Sequence, residues 1–184
     1  MEIIEFDPVD TIAAGALGEP GQRTFFIQAT KNGATLTVFV EKEQVAVLSD
    51  RVGDLLAQVA EEHPEDPVEE AAAMSTATLT EINEPAVPLF RAVVMGIGFD
   101  PERRLVLLEL YEQAPADDTV EGAPPDPSEP EPKLARLFAT RTQMRAMAAR
   151  GTETVAAGRP PCPWCRLPLD PSGHVCPASN GHRA

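Results

Sequence analysis

The chain is 184 residues long with 43% hydrophobic and 5% aromatic residues, enough for one principal core and too apolar for a wholly disordered chain. Its 19 prolines exclude an all-helical bundle or coiled coil, because each removes a backbone donor and locks φ. Fifteen Lys and Arg against 29 Asp and Glu leave a net charge of −14, a field that repels phosphate backbones and anionic lipid, so whole-surface binding to nucleic acid or membrane is not expected.

The start, Met1 to Asp7, is acidic and lacks the basic head and apolar stretch of a secretory signal. No uncharged apolar run approaches the roughly 18 to 20 residues of a membrane span. A soluble, cytoplasmic protein is expected.

After a short apolar start, Ile3 to Phe6, the residues Thr24 to Ala29 read as a strand of β-branched and aromatic side chains. Lys31-Asn32-Gly33 follows, where Asn-Gly supplies the positive φ angles of a tight hairpin turn. The return strand, Ala34 to Val40, places Leu36, Val38 and Val40 on one face. The period then changes. Val45, Leu48, Val52, Leu55, Leu56 and Val59 form the apolar stripe of a helix that runs to about His63, where Pro64 stops it.

A second block repeats this grammar. Arg91 to Phe99 reads as a strand, Asp100 to Arg103 as a turn and Leu105 to Tyr111 as a second strand. Residues 114–132 carry six prolines and six carboxylates without apolar periodicity, which predicts a disordered acidic loop. Leu134 to Ala139 resumes as a strand. Thr140 then caps a second helix, with Gln143 completing a capping box and Met144 and Met147 on the buried side; Gly158 and Pro160-Pro161 end it. The predicted class is α+β: antiparallel β-hairpins packed with two amphipathic helices, on one sheet or on two small ones. Gln44 and Gln143 both stand at a strand-to-helix junction, which raises the possibility of a duplicated hairpin–helix unit.

The sharpest chemistry lies in the tail. Its three cysteines, Cys162, Cys165 and Cys176, cluster there, which in a reducing compartment points to metal or redox chemistry rather than to a disulfide framework. A Cys-x-x-Cys turn can aim two thiolates at one point, and the Pro, Asp and Gly between Cys165 and Cys176 can bring the third back. His174 is the preferred fourth ligand of a structural zinc ion, with His182 as the alternative. Trp164 would then cover the site or present an aromatic anchor. A thioredoxin-like redox pair competes with this reading, but Cys162 and Cys165 lie in a proline-rich tail rather than at the start of a helix in a βαβ unit. Free, inert cysteines are the third reading.

Elsewhere the plain structural readings prevail. His63 sits among carboxylates at a helix end, Gly96 and Gly98 fall within a strand rather than before a helix, and Glu109, Tyr111 and Glu112 fit the outer face of an edge strand. Nothing marks a nucleophile elbow, a phosphate loop or a triad, so the chain leans away from enzyme function. Charge divides unevenly: residues 1–135 hold 8 cations against 27 acids, and residues 136–184 hold 7 against 2. The exclusion of nucleic acid therefore softens for the basic tail.

The tail motif, Gly158-Arg159-Pro160-Pro161-Cys162-Pro163-Trp164-Cys165, then Pro168-Leu169-Asp170-Pro171, then Gly173-His174-Val175-Cys176-Pro177, resembles an uncharacterised, mainly actinobacterial family, domain of unknown function 3090. Met95-Gly96-Ile97-Gly98 and the Gln143 helix resemble it too. That family usually closes on Asn-Gly-Tyr-Arg, so His182 is a departure, which favours His174. The resemblance implies neighbours encoded nearby, one similar to histidine phosphatases and one to phosphoinositide kinases, and hence a protein partner.

The expected organisation is an α+β domain over residues 1–158 and a zinc-knuckle-like tail over 159–184. The expected function is a non-catalytic binding or adaptor protein. Its alternatives are an enzyme or accessory subunit acting on a phosphorylated small molecule, and nucleic-acid contact through the tail.

Overall fold

A computed structural model describes residues 1–63, 81–114, 130–158, 161–167, 169 and 174–179. The elements are β1 (Glu2–Phe6), β2 (Thr11–Leu17), β3 (Thr24–Lys31), β4 (Ala34–Val40), α1 (Lys42–Glu62), β5 (Phe90–Arg91), β6 (Val94–Asp100), β7 (Leu105–Tyr111), β8 (Lys133–Thr140), α2 (Arg141–Ala156) and a closing 3₁₀ turn, Pro177–Ser179. The strands form two four-stranded sheets, ordered β2-β3-β4-β5 and β1-β8-β7-β6. The α+β class with two small sheets is therefore what the chain adopts.

Local chemistry explains the hairpins. Asn32 and Gly33 turn β3 into β4 with φ of 50° and 80°, the left-handed pair that matches strand twist. Asp100 Oδ1 accepts the N–H groups of Glu102 and Arg103 at 3.0 and 3.1 Å, closing the turn from β6 to β7. Both helices open on a capping box, and that of α2 is explicit: Thr140 Oγ1 accepts from Gln143 N at 3.2 Å while Thr140 N donates to Gln143 Oε1 at 2.9 Å.

Three strands were not anticipated as such. The start at Ile3 to Phe6 is β1, which runs parallel to β8 with Ile4 opposite Ala135. Strand β2 is built on Ala13, Ala14 and Gly15, whose weak strand propensity hides a segment that is buried on both faces. The expected single strand from Arg91 to Phe99 is in fact two. Phe90 and Arg91 pair parallel with Val38 and Phe39 of β4, whereas Val94 onward pairs with β7. The break falls at Ala92 and Val93, whose carbonyls accept from Gln44 Nε2 at 3.2 and 3.3 Å as the chain crosses between sheets. Helix α2 ends at Ala156, just before Gly158. Most of the expected disordered loop, residues 115–129, lies outside the described residues.

The two halves correspond throughout. In each sheet three antiparallel strands are followed by a parallel fourth that belongs to the other half: β5 completes the first half's sheet and β1 the second's. Gln143 repeats the contact of Gln44, its Nε2 donating to Val9 O at 3.4 Å and Asp10 O at 3.0 Å. The backbone repeats as well: Ala92 N donates to Phe39 O at 2.9 Å, and Val9 N to Phe138 O at 2.8 Å. The duplicated unit raised by the two glutamines is thus present, with its first strands exchanged.

One core joins the halves. Ile27, Val38, Leu108 and Leu137 from the sheets meet Val45, Val52, Met144 and Met147 from the helices. The helices pack tightly at Gly151, where an added Cβ would lie 2.6 Å from Ser49 Oγ and 3.1 Å from Val45. No helix among the described residues is long and apolar enough to cross a membrane.

Candidate metal centre

Beyond α2 the chain turns back on itself at Cys162-Pro163-Trp164-Cys165. Two backbone bonds close this knuckle: Arg166 N donates to Cys162 O at 2.9 Å, and Cys162 N donates to Leu167 O at 2.8 Å. Arg166 takes φ of 63°, the left-handed conformation that lets the chain leave the knuckle. Closure of this loop turns N–H groups toward sulfur. Those of Cys165 and Trp164 bond the Cys162 thiol, that of Leu167 bonds Cys165, and that of Ala178 in the closing 3₁₀ turn bonds Cys176.

The three thiols and one imidazole converge. The ligand atoms of Cys162, Cys165, His174 and Cys176 all lie within 4.8 Å of one another. Sγ of Cys162 and Sγ of Cys176 are 3.8 Å apart, and Sγ of Cys165 is 3.6 Å from His174 Nε2. A disulfide would need about 2.05 Å between sulfurs, so the cysteines stand as separate thiols. For Zn–S of about 2.3 Å and Zn–N of about 2.05 Å, a tetrahedron has edges of about 3.8 Å between sulfurs and about 3.6 Å from sulfur to nitrogen. These two separations match such edges and the whole set spans at most 4.8 Å, so the four side chains are compatible with a metal site.

The electrostatics point the same way. The backbone N–H of Cys165, with that of Trp164, brings the Cys162 thiol down to about 6 against the opposing effect of burial. Burial, and to a smaller extent the Cys162 thiol, push Cys176 up, but the Ala178 N–H and the side chains of His174 and Cys165 leave it lower than an ordinary thiol. Burial and the neighbouring thiols raise Cys165. The sulfurs of Cys176 and Cys162 raise His174. Cys162 and Cys176 are wholly buried, while Cys165 and His174 are partly exposed. Around them Trp164, Leu167 and Val175 are exposed by 63%, 51% and 69%.

The family model described as "Protein of unknown function (DUF3090)" matches residues 4–176. The chain belongs to this DUF3090 family. The matched stretch contains both repeats and all four converging side chains. No curated protein and no solved structure matches the chain significantly.

Of the tail residues singled out in the sequence, the structure brings together Cys162, Cys165, His174 and Cys176; His182 lies outside the described residues. The other candidates serve the fold. His63 closes α1, donating its N–H to Val59 O at 2.9 Å, and its ring meets Phe99 at 5.9 Å between centroids. Glu109 accepts from Tyr111 Oη at 2.8 Å and Arg136 Nε at 2.9 Å across neighbouring strands, and Glu112 accepts from Lys133 N at 2.8 Å. Gly96 and Gly98 lie within β6. The N–H donors of Leu167 and Ala178 had no sequence signal, because backbone groups carry no residue-type signature.

Proposed function

We propose that this DUF3090 protein is a non-catalytic binding or adaptor protein, made of a duplicated α+β body (residues 1–158) and a C-terminal tail (residues 159–184) ordered by one structural zinc ion. Cys162, Cys165, His174 and Cys176 are the ligands. The observation that carries this reading is the match of both ligand separations to a tetrahedral edge. Thiolate-rich sites favour zinc over hard cations. Four protein ligands leave no position for water or substrate, so the ion supports shape rather than reaction.

That shape displays Trp164, Leu167 and Val175 around the site. A short tail has little core of its own, so exposed tryptophan on a metal-ordered knuckle suits a protein anchor. The partners implied by the family resemblance are the phosphatase-like and kinase-like neighbours.

Elemental analysis of protein purified without added metal tests the first part, with one zinc per chain expected. Absence of stoichiometric metal rejects it. Size-exclusion chromatography with each purified neighbour tests the second: a complex that Trp164→Ala dissolves supports the reading, and no complex with metal-loaded protein rejects it.

A further inference from the structure

We propose that the cleft between the end of α2 and the start of α1 binds a small organic anion, with an oxyanion head on an apolar body. This site is separate from the cysteine cluster. It has a volume of about 440 Å³ and is lined by Arg23, Thr24, Phe39, Lys42, Val155 and Gly158 among others. That volume falls within the range of small-molecule sites, about 300–1,000 Å³.

The repeat provides an internal comparison. Helix α1 has 21 residues and α2 only 16. By strand register Phe99, opposite Val106, corresponds to Ala16, opposite Phe25. In the second half the Phe99 ring packs on His63 at the end of the longer helix, and the Arg141 guanidinium lies 6.0 Å from the ring centroid. In the first half the ring is replaced by a methyl group and the helix stops short. The cleft lies beside this position, walled by Phe25, the strand partner of Ala16, and by Thr154 and Val155 near the end of the shorter helix. Lys42, the first residue of α1 as Arg141 is of α2, makes no cation–π contact of this kind among the described residues.

The cleft's charges are unbalanced. Lys42 Nζ lies 3.3 Å from where a Cβ on Gly158 would stand, and among the described residues it has no ion pair or hydrogen bond. Arg23 uses Nη1 to hold Ala157 O at 2.9 Å and Thr154 O at 3.3 Å, leaving its other nitrogens without a partner among the described residues. The one carboxylate in the wall, Glu41, is paired with Arg91. Two uncompensated cations thus share one cleft in a chain of net charge −14, beside the apolar side chains of Phe39, Val40 and Val155. An oxyanion between Lys42 and Arg23 would make charge-assisted hydrogen bonds while its apolar body covers the wall.

The test is calorimetric titration of the full chain with phenyl phosphate, benzoate and phenol. One or both anions should bind saturably, and their ranking identifies the head as phosphate or carboxylate. Phenol should bind at least about tenfold more weakly, as should the better anion to Lys42→Gln, while Lys42→Arg retains it. Lys42 is exposed, so its variants should unfold at the wild-type temperature. The proposal is overturned if neither anion binds below about 10 mM. Equal binding of phenol, or anion binding that Lys42→Gln leaves unchanged, overturns it too.

Discussion

The hydroxyl of Tyr111 donates to Glu109, which also receives Arg136. The hydrogen bond to Glu109, with burial and the carboxylate's charge, raises the Tyr111 pKa above its usual value. A raised pKa means that the folded chain holds this proton more tightly than the unfolded one. The stabilisation is fully present below the unfolded value, about 10, and is lost as pH rises through the folded value. Tyr111→Phe should therefore cost about 0.5–1.5 kcal/mol at pH 8. Urea denaturation should show that difference narrowing at pH 11, and a constant difference would contradict the account. At the same scale, the tail ligands were legible because thiol and imidazole are rare groups whose clustering is visible in one dimension. Lys42 and Arg23 were not, since they meet only through the fold and a lone surface cation is unremarkable in sequence.

Two side-chain devices hold the elements at their junctions. Gln44 and Gln143 each fasten a helix start to two carbonyls of the strand that crosses from the other half. Replacing either by Ala should destabilise the fold by about 1–2 kcal/mol, through loss of the capping box and these bonds. The two costs should be similar in denaturant titrations, and a loss confined to one would mean that the repeats are not energetically equivalent. Gly151 offers a second test. Gly151→Ala drives a methyl group onto Ser49 Oγ, whose hydroxyl is bound to Val45 O at 2.9 Å, and should cost about 1–3 kcal/mol. Ser49→Ala removes the nearest clashing atom, so the double variant should recover part of that loss in a double-mutant cycle. Elements with strong periodicity, such as α1 and the Asn32-Gly33 hairpin, were readable in advance. The small-residue strand β2 and the two-residue strand β5 were not, because nonlocal pairing rather than propensity defines them.

For the molecule as a whole, the proposed zinc ion should govern the tail and spare the body. The chain's single tryptophan, Trp164, sits within the knuckle, so its fluorescence reports on the site. Chelation, or Cys162→Ser, should shift that emission while leaving the far-ultraviolet circular dichroism and the main unfolding transition close to wild type. Global unfolding on metal removal would contradict the division into body and tail. Metal uptake should also weaken on acidification, because thiols and imidazole must lose protons to bind. A series of zinc titrations between neutral and mildly acidic pH would measure this.

The exchanged first strands bear on how the chain is made. Glu2 pairs with Lys133 and Phe6 with Leu137, so β1 finds its sheet neighbour only in a strand that follows it far along the chain. Such distant pairings slow folding. Neither half can complete its sheet alone, and an early hairpin of β3 and β4 must stand with an open edge until β5 arrives. Fragments 1–63 and 81–184, expressed apart, should therefore be poorly folded and should recover the native spectrum when mixed. Assembly of this protein from its two halves is then already a binding reaction, carried out within one chain.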